Sequence, residues 1–132
     1  MARACNATPL VVHKTLFFLQ AVEEQARENM RRAAAMQRLY QELREDFPEI
    51  THSAACGSLL DALFESPIFS KPVIASRIAG VNQATVQRMI NALVDGGLLH
   101  QRTSGAGRRA ATYQLWKLTL IAQGLPIERF EY

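Results

Sequence analysis

The chain predicts a mainly α-helical protein, a winged helix-turn-helix with a long N-terminal helix and a small β-hairpin wing. Three observations lead there. Leu10 to Phe47 contains neither Gly nor Pro and is built from strong helix formers. "IASRIAGVNQATVQRMINAL", Ile74 to Leu93, reads as a short helix, a glycine break and a second helix starting on Asn82. Two extended runs then flank "TSGAG", Thr103 to Gly107, as the arms of a hairpin flank its turn.

Each element has its own signals. Thr8 and Pro9 suit the start of the long helix, and Pro48 predicts its end. Its apolar face runs Leu19, Val22, Ala26, Met30, Ala33, Met36, Tyr40, Leu43, Phe47, with a mean step of about 3.5, the repeat of a coiled-coil seam. Charged residues fill the remaining faces. Such a stripe is too long to be buried wholly on a domain of about eighty residues, so Leu19, Val22, Ala26, Met30, Ala33, Met36 and Tyr40 are expected to pair two copies in a homodimer. Packing of the whole helix on its own domain is the other reading.

Ser53 is a candidate cap for a second helix with Cys56, Leu59, Leu60, Leu63 and Phe64 inward. Ile68-Phe69 is a short apolar link or a two-residue strand. Ser70 and Pro72 open a brief helix to Ala79, and Gly80 stops it. Asn82 caps the helix from Gln83 to Asp95, which Gly96-Gly97 closes. Leu98–Arg102 and Arg109–Leu115 form the hairpin arms, with the Tyr113 ring inward. Leu115–Ala122 is a last short helix. The expected organisation is a loose leader 1–9, the long helix 10–47, a winged-helix domain 53–117 and a tail 118–132.

Charge is distributed unevenly. The formal net charge is +3. Residues 67–117 carry seven basic side chains against the lone acid Asp95, which makes that block +6. A one-sided basic block points to a polyanionic partner. The outward side of the Gln83–Asp95 helix holds residue types that match base edges: Arg88 for guanine, and Gln83, Gln87 and Asn91 for adenine. Ala84 and Thr85 keep its front small, and Asn82 stands at its N-terminus. Arg102, Thr103, Ser104, Arg108 and Arg109 surround the hairpin turn, where they can meet phosphates. His100 is expected on the same strand face as Arg102. The leading expectation is therefore a transcriptional or regulatory module on double-stranded DNA, with helix 83–95 in the major groove and wing 102–109 on the backbone. Exposed Arg, Gln and Asn are also ordinary solvent residues, so a regulatory or dimerisation module without DNA is the alternative.

Four stretches in order resemble the C-terminal part of Fic-family proteins, which transfer AMP to protein hydroxyls. They are "LFFLQAVEEQARENM" (Leu16–Met30), "LLDALFESPIF" (Leu59–Phe69), "AGVNQATVQRMINALVDGGLL" (Ala79–Leu99) and "RRAATYQL" (Arg108–Leu115). The resemblance covers Leu16 to Leu115 and implies a long helix followed by a winged helix, with a Fic-type catalytic partner as one further expectation. It does not extend to catalysis. The family's loop is His-Pro-Phe-x-x-Gly-Asn-Gly-Arg, whereas His13, His52 and His100 are followed by Lys14, Ser53 and Gln101, and no Gly-Asn-Gly occurs. No Ser/His/Asp set, Cys/His set or P-loop is readable, so the expectation is a non-enzyme without cofactor. His52 and Cys56 are four apart but have no second pair to complete a metal site. Two cysteines without a CxxC pair, no secretory signal and no apolar run of membrane length predict a cytoplasmic protein.

Overall fold

A computed structural model describes residues 8–126. Among these residues the protein is mainly helical, 68% in five helices, with one small three-stranded antiparallel sheet. The chain divides into two compact units between Ala34 and Ala35. Most of the expected leader, and the tail beyond Pro126, lie outside the described residues.

The first unit is the N-terminal part of helix α1 (Pro9–Thr51). It starts as anticipated, with the Thr8 carbonyl accepting from the N–H groups of Val11 and Val12. Its charged side is laced by Arg27–Glu23 at 2.7 Å, Arg31–Glu28 at 3.3 Å and Arg32–Glu28 at 3.2 Å. The Arg32 hydrogen bond, with help from Arg31, holds the Glu28 carboxyl below its ordinary range. Glu28 and Arg32 are half-buried and the other partners exposed, and such solvent-screened pairs contribute little to stability.

The second unit begins with the rest of α1. The helix does not stop at Pro48; it runs on to Thr51. Proline lacks the N–H that would reach the Arg44 carbonyl and crowds that carbonyl, at a cost of about 3 kcal/mol in a helix interior. Packing outweighs this cost. Phe47 and Thr51 are buried and Ile50 packs on the core. Thr51 Oγ1 donates to the Phe47 carbonyl at 2.7 Å, and His52 N donates to the Pro48 carbonyl at 3.0 Å. His52 then turns the chain with a φ of 50°.

Helix α2 (Cys56–Glu65) buries Cys56, Leu59, Leu60, Ala62 and Leu63, while Phe64 is half-buried. Ser53 is not its N-cap. The hydroxyl accepts from Ala55 N at 3.3 Å, one turn too early, and the helix begins at Cys56. Strand β1 (Ile68–Ser70) is three residues long rather than two. Helix α3 (Lys71–Arg77) follows, with Ser70 at the N-cap position but without a side-chain capping bond. It ends two residues before Ala79.

Helix α4 (Gln83–Asp95) has the bounds read from the sequence. Asn82 Oδ1 accepts from Ala84 N at 2.8 Å. The other end closes as a Schellman motif: Gly97 N donates to the Val94 carbonyl at 3.1 Å and Leu98 N to the Leu93 carbonyl at 3.0 Å. Gly97 sits at φ 78°, the left-handed position this motif needs. Strands β2 (His100–Thr103) and β3 (Thr112–Gln114) complete the sheet in the order β1-β3-β2. Helix α5 (Trp116–Gln123) closes the unit. Leu118 and Ile121 belong to the core, so the boundary expected at 117 falls inside this helix.

The core gathers Leu43, Phe47, Leu59, Leu60, Leu63, Ile74, Val86, Met89, Ile90, Leu93, Leu99 and Leu115, all essentially inaccessible. Leu39, absent from the expected seam, is buried too. Tyr40 and Met36 pack against this core, and Tyr40 meets Phe64 edge-on at 5.1 Å. The Tyr40 hydroxyl donates to Asp61 at 2.7 Å, and that carboxylate raises its pKa above the ordinary phenol value. Met36 and Tyr40 thus have partners within their own unit.

Pro48→Ala tests the balance in α1. The restored hydrogen bond outweighs the added freedom of the unfolded chain, so urea unfolding is expected to show a gain of about 1–2 kcal/mol.

Candidate nucleic-acid interface

The rotation of α4 about its axis follows from its apolar spacing. Val86, Met89, Ile90 and Leu93 lie within about 60° of one direction at 100° per residue, and all four are fully buried. The opposite side is therefore outward. Asn82, Gln83, Ala84, Gln87, Arg88 and Asn91 are exposed, and Thr85 is half-buried at the flank. Ala84, Gln87, Arg88 and Asn91 thus share the outward side of the helix, and Gln83 stands at its edge in the first turn.

Two of them are tethered. Arg88 Nη1 donates to the carbonyl of Thr51 at 3.1 Å. Thr51 is the last residue of α1, and a helix C-terminus carries unpaired carbonyls and partial negative charge. Arg88 therefore also closes α1, with its remaining N–H groups left over. Asn91 Oδ1 accepts from Lys71 Nζ at 2.6 Å. Lys71, the first residue of α3, also lies 5.1 Å from the centre of the Tyr113 ring. Tyr113 is inward as expected and stacks on Phe69 at 6.0 Å. Lys71 was not among the expected contact residues. It stands twenty positions from Asn91, and no local pattern links the two.

The wing differs from its expected form. Its tight turn is not Thr103–Gly107. Ala106 and Arg109 exchange backbone hydrogen bonds, at 3.1 Å and 3.0 Å, so the tip is Gly107-Arg108. Gly107 has a φ of 60°, which a two-residue hairpin turn asks of its first position. Arg108 consequently stands at the apex rather than on an arm. The β2–β3 register slips between Gln101 and Thr103, leaving Arg102 as a bulged residue. That slip breaks the alternation by which His100 and Arg102 were to share a face. His100 instead stacks on Trp116 at 5.1 Å, and Trp116 Nε1 donates to the Gly97 carbonyl at 2.8 Å. Thr103 shares a 2.6 Å hydroxyl contact with Thr112, which occupies part of its capacity, whereas Ser104 is exposed. Among the described residues, the side chains of Arg102, Arg108 and Arg109 are exposed and carry no hydrogen bond or ion pair.

Two further cations of the 67–117 block are engaged among the described residues. Arg77 donates to the Ser66 hydroxyl, and Lys117 lies over the Trp116 ring at 5.5 Å. No group of three or more His, Cys, Asp or Glu side chains among the described residues could hold a metal ion. No described helix is long and apolar enough to cross a membrane.

The first unit presents a different surface. Leu10, Val11, Val12, Leu16, Phe17, Phe18, Leu19, Val22 and Met30 are 45–73% exposed, and Ala26 and Ala33 are exposed among them. At 100° per residue Phe18, Leu19, Val22, Ala26 and Ala33 fall on one side, while Gln20, Glu23, Glu24, Arg27 and Arg31 share the other. Comparison with family models, with curated proteins and with solved structures gives no match for this chain.

Arg88→Ala removes the partner of a helix-terminal carbonyl. It is expected to lower stability by about 1 kcal/mol, read as a shift of the urea midpoint at constant m-value.

Proposed function

We propose that this chain is a DNA-binding winged helix-turn-helix protein with a regulatory role. The order α2, β1, α3, α4, β2, β3, with β3 between β1 and β2, supports the winged-helix reading. One observation carries the functional reading. The outward side of α4 gathers Ala84, Gln87, Arg88 and Asn91, with Gln83 exposed in its first turn, in a unit whose basic block includes the unpaired Arg102, Arg108 and Arg109.

The physics is direct. A helix about 10–12 Å across fits a major groove about 12 Å wide. Small front residues let its backbone approach. The wing arginines neutralise phosphates and release counterions, which supplies affinity without sequence choice. Side chains on α4 supply the choice.

A salt titration of duplex affinity tests this. About five phosphate contacts predict a log–log slope near −4 to −5. Arg108→Ala should weaken all duplexes alike and reduce that slope by about one. A protein that binds no duplex at low salt contradicts the reading.

The exposed apolar surface of residues 10–30 favours an accompanying role in assembly. Nine large apolar side chains at 45–73% exposure are more than a lone helix can shelter from water. A homodimer through Leu19, Val22, Ala26, Met30 and Ala33 is the simplest cover. Val22→Glu places a charge in that seam and is expected to turn a dimer into a monomer by light scattering. The second reading is a regulatory or assembly module acting with a Fic-type AMP-transferase and without DNA. It gains weight if duplex binding fails while assembly persists.

A further inference from the structure

A free Asn side chain suits adenine because its carboxamide offers one acceptor and one donor to the N6/N7 edge. Asn91 has lost that symmetry of choice. Lys71 Nζ lies 2.6 Å from its Oδ1. An ammonium has three donors and no acceptor, so only the oxygen of the carboxamide can face it. The amide orientation is thereby set, and the NH₂ is the end left for a ligand. Lys71 is itself held, half-buried with its ammonium against the Tyr113 ring, which the sheet fixes between β1 and β2.

The neighbouring position behaves alike. Arg88 lies three residues before Asn91, and such positions are adjacent on a helix surface, about 5–6 Å between Cβ atoms. Arginine has donors only. One of its nitrogens serves the Thr51 carbonyl, and the remaining N–H groups are again donors. Both side chains are exposed. The outward side of α4 thus turns two donor ends toward a ligand, the Asn91 oxygen being directed at Lys71, beside Gln87, which is free to turn either way.

We infer that the Arg88–Asn91 pair selects the acceptor edge of guanine, O6 and N7, and that Lys71 is the positioning residue that turns Asn91 away from adenine. This rests on the duplex-binding reading above. Guanine offers two adjacent acceptors in the major groove, whereas adenine sets an N6 donor beside N7. With the Asn91 oxygen turned to Lys71, that N6 group meets donor ends only, and adenine is penalised.

Selection of the whole protein on a pool of random duplexes, followed by sequencing, tests this. The wild type is expected to enrich guanine over adenine about tenfold at one or two adjacent positions. Lys71→Met keeps an apolar stem over Tyr113 and removes the ammonium. Asn91 can then turn, and adenine should rise to parity or above at one of those positions. Asn91→Asp keeps an acceptor for Lys71 but replaces the outward donor with an oxygen. It should lose guanine at the same position and gain cytosine, whose N4 is a donor. An unchanged base profile in both variants, with affinity lowered equally for every sequence, overturns the positioning role. So does adenine enrichment by the wild type at the position that Asn91→Asp alters. Duplex binding with no base preference overturns this inference and leaves the duplex-binding reading standing. Absence of any duplex binding at low salt overturns both.

Discussion

Four side chains set the rotation of α4 about its axis, and what this helix can offer a ligand follows from that rotation. Val86, Met89, Ile90 and Leu93 are all buried to the last few Å². Turning the helix by one residue position would expose some of them and bury Arg88 or Asn91. Each large apolar side chain brought into water costs about 1.5–3 kcal/mol, and an unpaired buried charge costs more. The outward set is thus held by the inward set. The Asn82 cap and the Schellman closure at Gly97 fix where the helix starts and stops, which settles which residues lie near each end.

Around that helix the polar contacts divide labour between holding and presenting. Arg88 joins the end of α1 to α4 through the Thr51 carbonyl, and Lys71 joins the start of α3 to α4 through Asn91. Both contacts reach across elements that are already packed, so they add orientation more than cohesion. The β2–β3 hairpin is built in the contrary way. Its arginines are left without partners, and its backbone is shaped by a bulge at Arg102 and a tight turn at Gly107-Arg108. A helix face held by its neighbours, in a unit that also carries unpaired cations, is the arrangement on which the duplex-binding proposal rests.

The N-terminal part of α1 obeys a different constraint. A single helix cannot shelter an apolar side from water by itself, and Leu10 to Leu19 is apolar on most sides. Residues 35–51 of the same helix solve the problem within the chain, where Leu39, Leu43, Phe47 and Thr51 are buried at steps of four. The seam read as one continuous stripe is therefore two surfaces, one buried within its own unit and one exposed. Met36 and Tyr40 belong to the buried one. Leu19, Val22, Ala26, Met30 and Ala33 belong to the exposed one.

Local sequence determined most of the element list, since helix periodicity, the Asn82 cap and the glycine stops act within a few residues. It gave the bounds of α4 without error and its inward face residue by residue. It failed at Pro48, where burial of Phe47 and Thr51 outweighs the local cost of proline. It failed again at the wing tip, where pairing of Ala106 with Arg109 moved the turn by several residues. The orientation of Asn91 and the anchoring of Arg88 lay wholly beyond it. Those depend on Lys71 and Thr51, twenty and thirty-seven residues away, and only packing of the helices and the sheet brings such groups within hydrogen-bond range. Periodicity tells which way a side chain faces. Only the tertiary structure decides what it meets there, because contact at long sequence separation is set by the packing of whole elements.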